Sequence, residues 1–268
     1  MFALSRTPLG PLAGQRPVVV MARGHSGTRV LAWALQKLGV PMGAIPEVPT
    51  GDVQDRRFTR VIKRICRASL RQPVTAPPNP RLLRIFQQAV HRYLQWLGQP
   101  AGSWGWKFPE TYLIPHYVAA SFPLARHLHM VRDGRDVAFK QHLTDDPHRR
   151  LGRRLLRQLA VLDKAHPIQA AISWEFQVRR YDAFLQAAQP TVHTIAFESL
   201  CRDPLATMQG VCDFLGCEMT PECRAYLEGQ VNPQKIAQFR HEDPRQIAEV
   251  EAAIAPTLAR LGYLTGAA

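Results

Sequence analysis

Arg23, His25 and Arg29 stand within one short stretch, Arg23–Gly24–His25–Ser26–Gly27–Thr28–Arg29, that follows the apolar run Val18–Val19–Val20–Met21–Ala22. Glycines and small hydroxyl side chains let a backbone turn tightly, and the cations make that turn basic. Pinned at the head of a helix, such a loop aims N–H groups and the positive end of the helix dipole at one point, which is how proteins hold phosphate-like anions. No Lys–Ser/Thr pair follows the last glycine, and the spacing is not G-x-G-x-x-G, so neither a Walker A loop nor a dinucleotide fingerprint is present. A plain β–α turn without a ligand is the competing reading.

Three further stretches carry chemistry. Arg132 opens Arg132–Asp133–Gly134–Arg135–Asp136 behind the apolar run Leu128–Val131, with Lys140 eight residues on. Asp136 reads as a local partner for a helix N-terminus and the nearby arginines. Lys107 and Glu110 flank Phe108–Pro109. A cation there can stabilise charge on a leaving oxygen, and a carboxylate can take a proton from a hydroxyl; the alternative for Glu110 is a cap on the helix behind it. The last stretch is Phe197–Glu198–Ser199–Leu200, followed by Asp203–Pro204 and Phe214–Leu215–Gly216.

The elements that must position these residues follow from hydrophobic period and caps. Strands are expected at 17–22, around 103–108, at 125–131 and at 191–197. Helices are expected at 28–38, 56–71, 82–97, 112–121, 135–143, 151–162, 167–186, 204–215 and 244–261. Asp203–Pro204, Thr220–Pro221 and Asp243–Pro244 each place an acceptor side chain at the N-cap and proline at the first helical position, and Gln246 completes a capping box with Asp243. Short apolar strands alternating with helices predict an α/β fold with a mainly parallel sheet and helices on both faces. In such sheets ligands sit beyond the carboxyl ends of the strands, where the first loop lies and towards which Arg132 would be aimed. Residues 72–80, with four prolines, read as a surface loop. One domain over 1–268 is expected, with a helical insertion at about 39–98.

Charge narrows the partners. The 268 residues carry 34 Lys+Arg against 21 Asp+Glu, a formal +13, so either a solvated basic surface or a polyanionic partner is implied. No run of 18 apolar residues suggests a transmembrane helix, and residues 1–16 lack the apolar core of a signal peptide. The five cysteines contain no C-x-x-C pair, which disfavours zinc or a disulfide framework and fits reduced thiols in the cytoplasm.

Taken together, the four stretches resemble the sulfotransferase family, in particular its bacterial members, which use the donor PAPS (3′-phosphoadenosine 5′-phosphosulfate). In that family a basic residue before S-G-T binds the 5′-phosphosulfate, here Arg23 to Arg29. The first arginine of V-R-D-P-R-D-V binds the 3′-phosphate, here Arg132 in Val131–Arg132–Asp133–Gly134–Arg135–Asp136–Val137. The late Y-E-D-L strand, D-P and F-L-G correspond to Phe197–Glu198–Ser199–Leu200, Asp203–Pro204 and Phe214–Leu215–Gly216, and the final Leu261–Gly262–Tyr263 also fits. The resemblance spans about 17–263 and implies a three-layer P-loop-like fold. It also implies in-line transfer of a sulfuryl group to a hydroxyl or amine of a small-molecule or glycan acceptor, without a metal and with PAP (adenosine 3′,5′-bisphosphate) leaving.

The departures are specific. His25 stands where a lysine or arginine precedes S-G-T, leaving Arg23 or a protonated His25 as the loop cation. Lys140 replaces a phosphate-binding serine, and Phe197 replaces the tyrosine beside adenine. No R-K-G-x-x-G segment appears near the C-terminus; Phe239–Arg240–His241 is the nearest basic stretch. Lys107 occupies a position held by histidine in some members, which leaves Glu110 as the proton acceptor and Lys107 and His25 as stabilisers of the leaving oxygen. Two other readings stay open: a nucleotide-dependent phosphotransferase, although Mg²⁺ ligands are not evident, and a non-catalytic module binding nucleic acid or an acidic polymer, although aromatic platforms beside the arginines are missing. Nucleic acid is not an expected partner, and the sequence leaves the oligomeric state open.

Overall fold

Val18–Met21 (β1), Gly105–Lys107 (β2), Arg126–Val131 (β3) and Thr191–Ala196 (β4) pair in the order β2-β1-β3-β4, with every neighbour parallel. The computed structural model describes residues 12, 14–44 and 50–264, so the lead-in expected over 1–16 lies for the most part outside the described residues. β1 is central and all four of its residues are buried. Its side chains alternate between two cores, as the period of a strand demands. Val19 and Met21 pack with Phe58, Phe86, Trp106 and Tyr181, while Val18 and Val20 pack with Leu31, Leu35, Met130 and Ile195. Each fully buried aliphatic side chain contributes roughly 1.5–3 kcal/mol, so slipping the register of β1 would forfeit both faces together.

Helices supply the outer layers. On one face lie Arg56–Ser69 (α2), Pro80–Trp96 (α3), Pro115–Ser121 (α4) and His166–Ala188 (α7); on the other lie Thr28–Lys37 (α1), Phe197–Arg202 (α8), Pro204–Leu215 (α9) and Pro221–Gln230 (α10). Gly134–Ala138 (α5) packs with α7 and Pro244–Arg260 (α11) around Val137, Trp174, Val178 and Ile254. Arg150–Gln158 (α6) lies against α2 and α7. The result is the expected three-layer α/β fold.

The expected caps form. Asp203 accepts from the N–H of Ala206, Thr220 from Cys223, and Asp243 from Arg245 and Gln246. None of the five cysteines is in a disulfide, and no described helix is long and apolar enough to cross a membrane.

Several boundaries depart from the periodic pattern. The helix expected at 112–121 is split into a 3₁₀ turn, Pro109–Leu113, and α4, because Pro115 restarts the chain at a first helical position. The helix expected at 135–143 ends at Ala138, so Lys140 lies in a turn instead of two turns down a helix. Phe197 opens α8 where the strand was expected to end. α11 is kinked at Ile254, two residues before Pro256, whose missing N–H cannot continue the ladder.

Candidate active site

The carboxyl ends of β1, β2 and β3 open onto one edge. There the β1–α1 turn closes with the N–H of Ser26 donating to the carbonyl of Arg23, 3.3 Å, and that of Val30 to Gly27, 3.1 Å. His25 and Gly27 both adopt positive φ, 68° and 88°. At Gly27 the space is also taken: a Cβ would stand 2.3 Å from the Phe197 ring. No side chain caps α1, and the first-turn N–H groups of a helix have no partner within it. The positive end of α1 therefore lies within this turn, beside the buried Ser26 and Thr28.

Arg23 does not face that opening. It is 1% exposed, and its Nη2 is 2.6 Å from Oδ1 of Asp145 while Nη1 donates to the carbonyl of Gly24. Asp145 is itself fully buried; burial opposes its ionisation, but Arg23, His166 and His142 together outweigh that and hold the carboxyl below its usual range. Arg23→Ala would strand this carboxylate. Its expected cost is about 3–5 kcal/mol of stability by chemical denaturation, with Arg23→Ala/Asp145→Ala recovering at least half. Equal stability of the single variant and the parent would show that the pair does not fix the loop.

His25 supplies contacts more than charge. Its Nε2 lies 2.7 Å from the carbonyl of Gln141, and burial, then the charge of Arg23, lower its pKa below the usual imidazole range. Lys140 is close enough to act on it in the same direction.

Arg132 leaves β3 and ties four elements together. Nη2 donates to Asp136 at 2.9 Å and to the carbonyl of Lys235 at 2.8 Å; Nη1 donates to the carbonyl of His25 at 3.0 Å; the guanidinium lies 4.0 Å from the Phe197 ring centroid. One face of Phe197 is thus covered by Arg132, and Gly27 closes on the same ring. Asp136 does serve the arginine as expected, and it also accepts from the N–H of Phe239 at 2.9 Å. Hence the C-terminal stretch around 235–241 is brought to Arg132 although it lacks the expected glycine motif. Glu198 completes the frame, accepting from the N–H of Asp133 at 3.0 Å and the hydroxyl of Tyr263 at 2.9 Å.

Lys107 and Glu110 lie on the β2 side. Lys107 is paired in register with Val20 of β1, and its Nζ contacts Asp52 at 2.5 Å and the carbonyl of Thr50 at 2.9 Å. Glu110 is 1% exposed, and neither carboxyl oxygen has a hydrogen-bond partner among the described residues. The alternative role as a helix cap is therefore not taken up. Burial pushes its pKa up to about 7, although Lys63 and Lys107 oppose the rise.

His142 belongs to this site and was not anticipated. Its Nε2 is 3.9 Å from Glu110 Oε1, its Nδ1 is 2.8 Å from Thr144 Oγ1, and it meets His25 edge-on. It also fills the space above Gly24, where a Cβ would stand 2.3 Å from the ring. Burial, then Arg23, keep its pKa well below the usual imidazole range. The imidazole therefore stands between the β1–α1 turn and Glu110. The expected helix through 143 concealed it; the turn signal Thr144–Asp145–Asp146–Pro147 was the available clue.

No group of three or more His, Cys, Asp or Glu side chains arranged to hold a metal occurs among the described residues.

The Sulfotransferase family model matches residues 17–221. Among solved structures, a sulfotransferase domain from the curacin biosynthetic pathway is similar in fold, with a TM-score of 0.56 at 14% identity, covering 93% of this chain and 98% of that one. A sulfotransferase from Alicyclobacillus acidocaldarius gives a TM-score of 0.53 at 18% identity, covering 92% and 94%. One from Mycobacterium avium gives 0.51 at 15% identity, covering 94% and 77%. No curated protein sequence matches significantly.

Proposed function

The chain belongs to the sulfotransferase family, and from that premise we propose that it transfers a sulfuryl group from PAPS to a hydroxyl or amine of its acceptor, releasing PAP. The observation that carries the donor assignment is the uncapped start of α1 inside the Gly24–Thr28 turn, with Arg132 held against the same turn through the carbonyl of His25. Open N–H groups and Ser26, Thr28 and Arg29 suit the phosphosulfate, and Arg132 with Lys140 suits the second phosphate. All of Arg132's present partners are protein groups, so a phosphate takes the place of at least one of them, the carbonyls of Lys235 and His25 being the uncharged ones.

PAPS supplies an S–O bond whose bridging oxygen gains charge as it breaks. The turn N–H groups and Lys107 offset that charge, and His25 contributes a hydrogen bond instead of a permanent cation. Glu110, ionised, accepts the proton of the acceptor hydroxyl as the new O–S bond forms. His142 stands between Glu110 and the turn, oriented by Thr144, and keeps the carboxylate's surroundings closed to water.

Calorimetry with PAP and with ATP–Mg²⁺ tests the reading. PAP is expected to bind in EDTA at micromolar concentration or better, corresponding to roughly 8 kcal/mol, with ATP–Mg²⁺ at least tenfold weaker. The reverse order would make the protein a phosphotransferase.

A further inference from the structure

Beside the Glu110 side of the site, an open cleft of about 620 Å³ lies between α2 and α6. It is lined by Arg67 of α2 and Arg71 just beyond its end, by Arg150, Arg153, Arg154 and Arg157 of α6, and by His148. No carboxylate lines it. The neighbouring Asp146 is already engaged by Arg149 and by the N–H of His148. Arg153 donates to the carbonyl of Pro147, whereas Arg67, Arg71, Arg150, Arg154 and Arg157 make no side-chain hydrogen bond or ion pair among the described residues. Like charges gathered without counter-charge are destabilising in isolation. A cleft of this kind gains most when anions enter it.

The cleft is also connected to the reacting centre. Lys63 and Arg67 stand four residues apart on one face of α2, and Arg71 follows two residues beyond its end. Lys63 lies over the Phe108 ring, 5.3 Å from its centroid, and its charge is felt by Glu110. At the rise of an α-helix, Lys63 to Arg67 spans about 6 Å. A basic track thus runs from the carboxylate to the cleft.

We propose that this arginine cleft is the acceptor subsite and that the acceptor is an oligosaccharide carrying sulfate or carboxylate groups, held by its anions in the cleft while one of its hydroxyls reaches Glu110. The assignment of the cleft to an acceptor rests on the transferase reading above. Guanidinium forks match sulfate and carboxylate oxygens in pairs. Apart from the exposed imidazole of His148, the cleft offers no aromatic ring on which nucleic-acid bases could stack. An anionic saccharide also carries hydroxyl nucleophiles on every unit, within a few ångströms of its charges, which an acidic peptide does not.

Fluorescence anisotropy with a labelled heparin octasaccharide tests this directly, against a neutral dextran octasaccharide, a charge-matched single-stranded oligodeoxynucleotide and polyglutamate. The wild-type protein is expected to bind the sulfated saccharide tightest, with affinity falling steeply with salt. The variant Arg67→Gln/Arg71→Gln/Arg154→Gln/Arg157→Gln is expected to bind it at least about thirtyfold more weakly at low salt, with a shallower salt slope. These side chains are surface groups remote from the α1 turn, so PAP affinity in the variant should match the parent. Undiminished saccharide binding in the variant overturns the proposal, as does a preference for the oligonucleotide or polyglutamate, or no saccharide binding at all. If saccharide binding behaves as expected while neither protein binds PAP, the donor reading fails and the anionic-saccharide cleft stands.

Discussion

Glu110→Gln is expected to lower sulfuryl transfer by about 100- to 10,000-fold, the usual contribution of a positioned general base, while leaving PAP affinity unchanged. The amide keeps the shape of the protonated acid and cannot accept the acceptor's proton. Two pH dependences separate this role from a structural one. With its pKa raised to about 7, Glu110 is increasingly ionised as pH rises, so the parent's rate should climb through neutrality and level off above it. Stability should move the other way. A carboxyl whose pKa is higher folded than unfolded holds its proton more tightly in the native state. Between the unfolded value near 4.5 and the folded value near 7, stability therefore falls as pH rises, by roughly 3 kcal/mol in total. Glu110→Gln removes that loss, so the variant should be as stable as the parent near pH 4 and more stable at pH 8. Buried His127 and His129, with pKa values lowered to about 4 and about 3, give the opposite slope at acid pH. They are common to both proteins and cancel in the difference. A variant that loses both activity and stability at pH 8 would make Glu110 a packing residue.

The parts of this site that the sequence made legible are those whose signal is local. A strand of four buried residues, a glycine turn and an amphipathic helix follow one another without interruption, so the anion loop could be read residue by residue. Arg132 was legible for the same reason, as the first polar residue beyond an apolar strand. What the loop cation does was not legible, because Arg23's partner Asp145 lies 122 residues away and only folding brings the two together. His142 was hidden by a different error. Val137, Ala138 and Leu143 continue a helical period that the chain abandons at Ala138, and the resulting turn swings the imidazole over Gly24. Phe197 was read as the aromatic beside adenine, and what the sequence could not show is that it is buried between Gly27 and Arg132. In each case a tertiary contact, made by residues far apart in the chain, overrode a local pattern.

Arg132→Ala should weaken PAP binding at least about tenfold, the loss that follows from removing a charge-assisted contact of about 1.5–3 kcal/mol. The structure adds a complication that the experiment must meet. Arg132 also braces the turn through His25, the 235–241 stretch through Lys235, and the Phe197 ring, so its removal costs stability as well as affinity. Asp136 keeps the N–H of Phe239 when the guanidinium is gone, which limits the damage and should leave a folded protein. Arg132→Lys resolves the two contributions. Lysine retains the charge but cannot span Asp136 and two carbonyls at once, so it should recover part of the PAP affinity and little of the stability. Affinity that tracks stability across the parent, Lys and Ala proteins would make Arg132 only a brace. Affinity that returns with the charge alone identifies it as the phosphate ligand, and unchanged PAP affinity in Arg132→Ala would remove Arg132 from the donor site altogether.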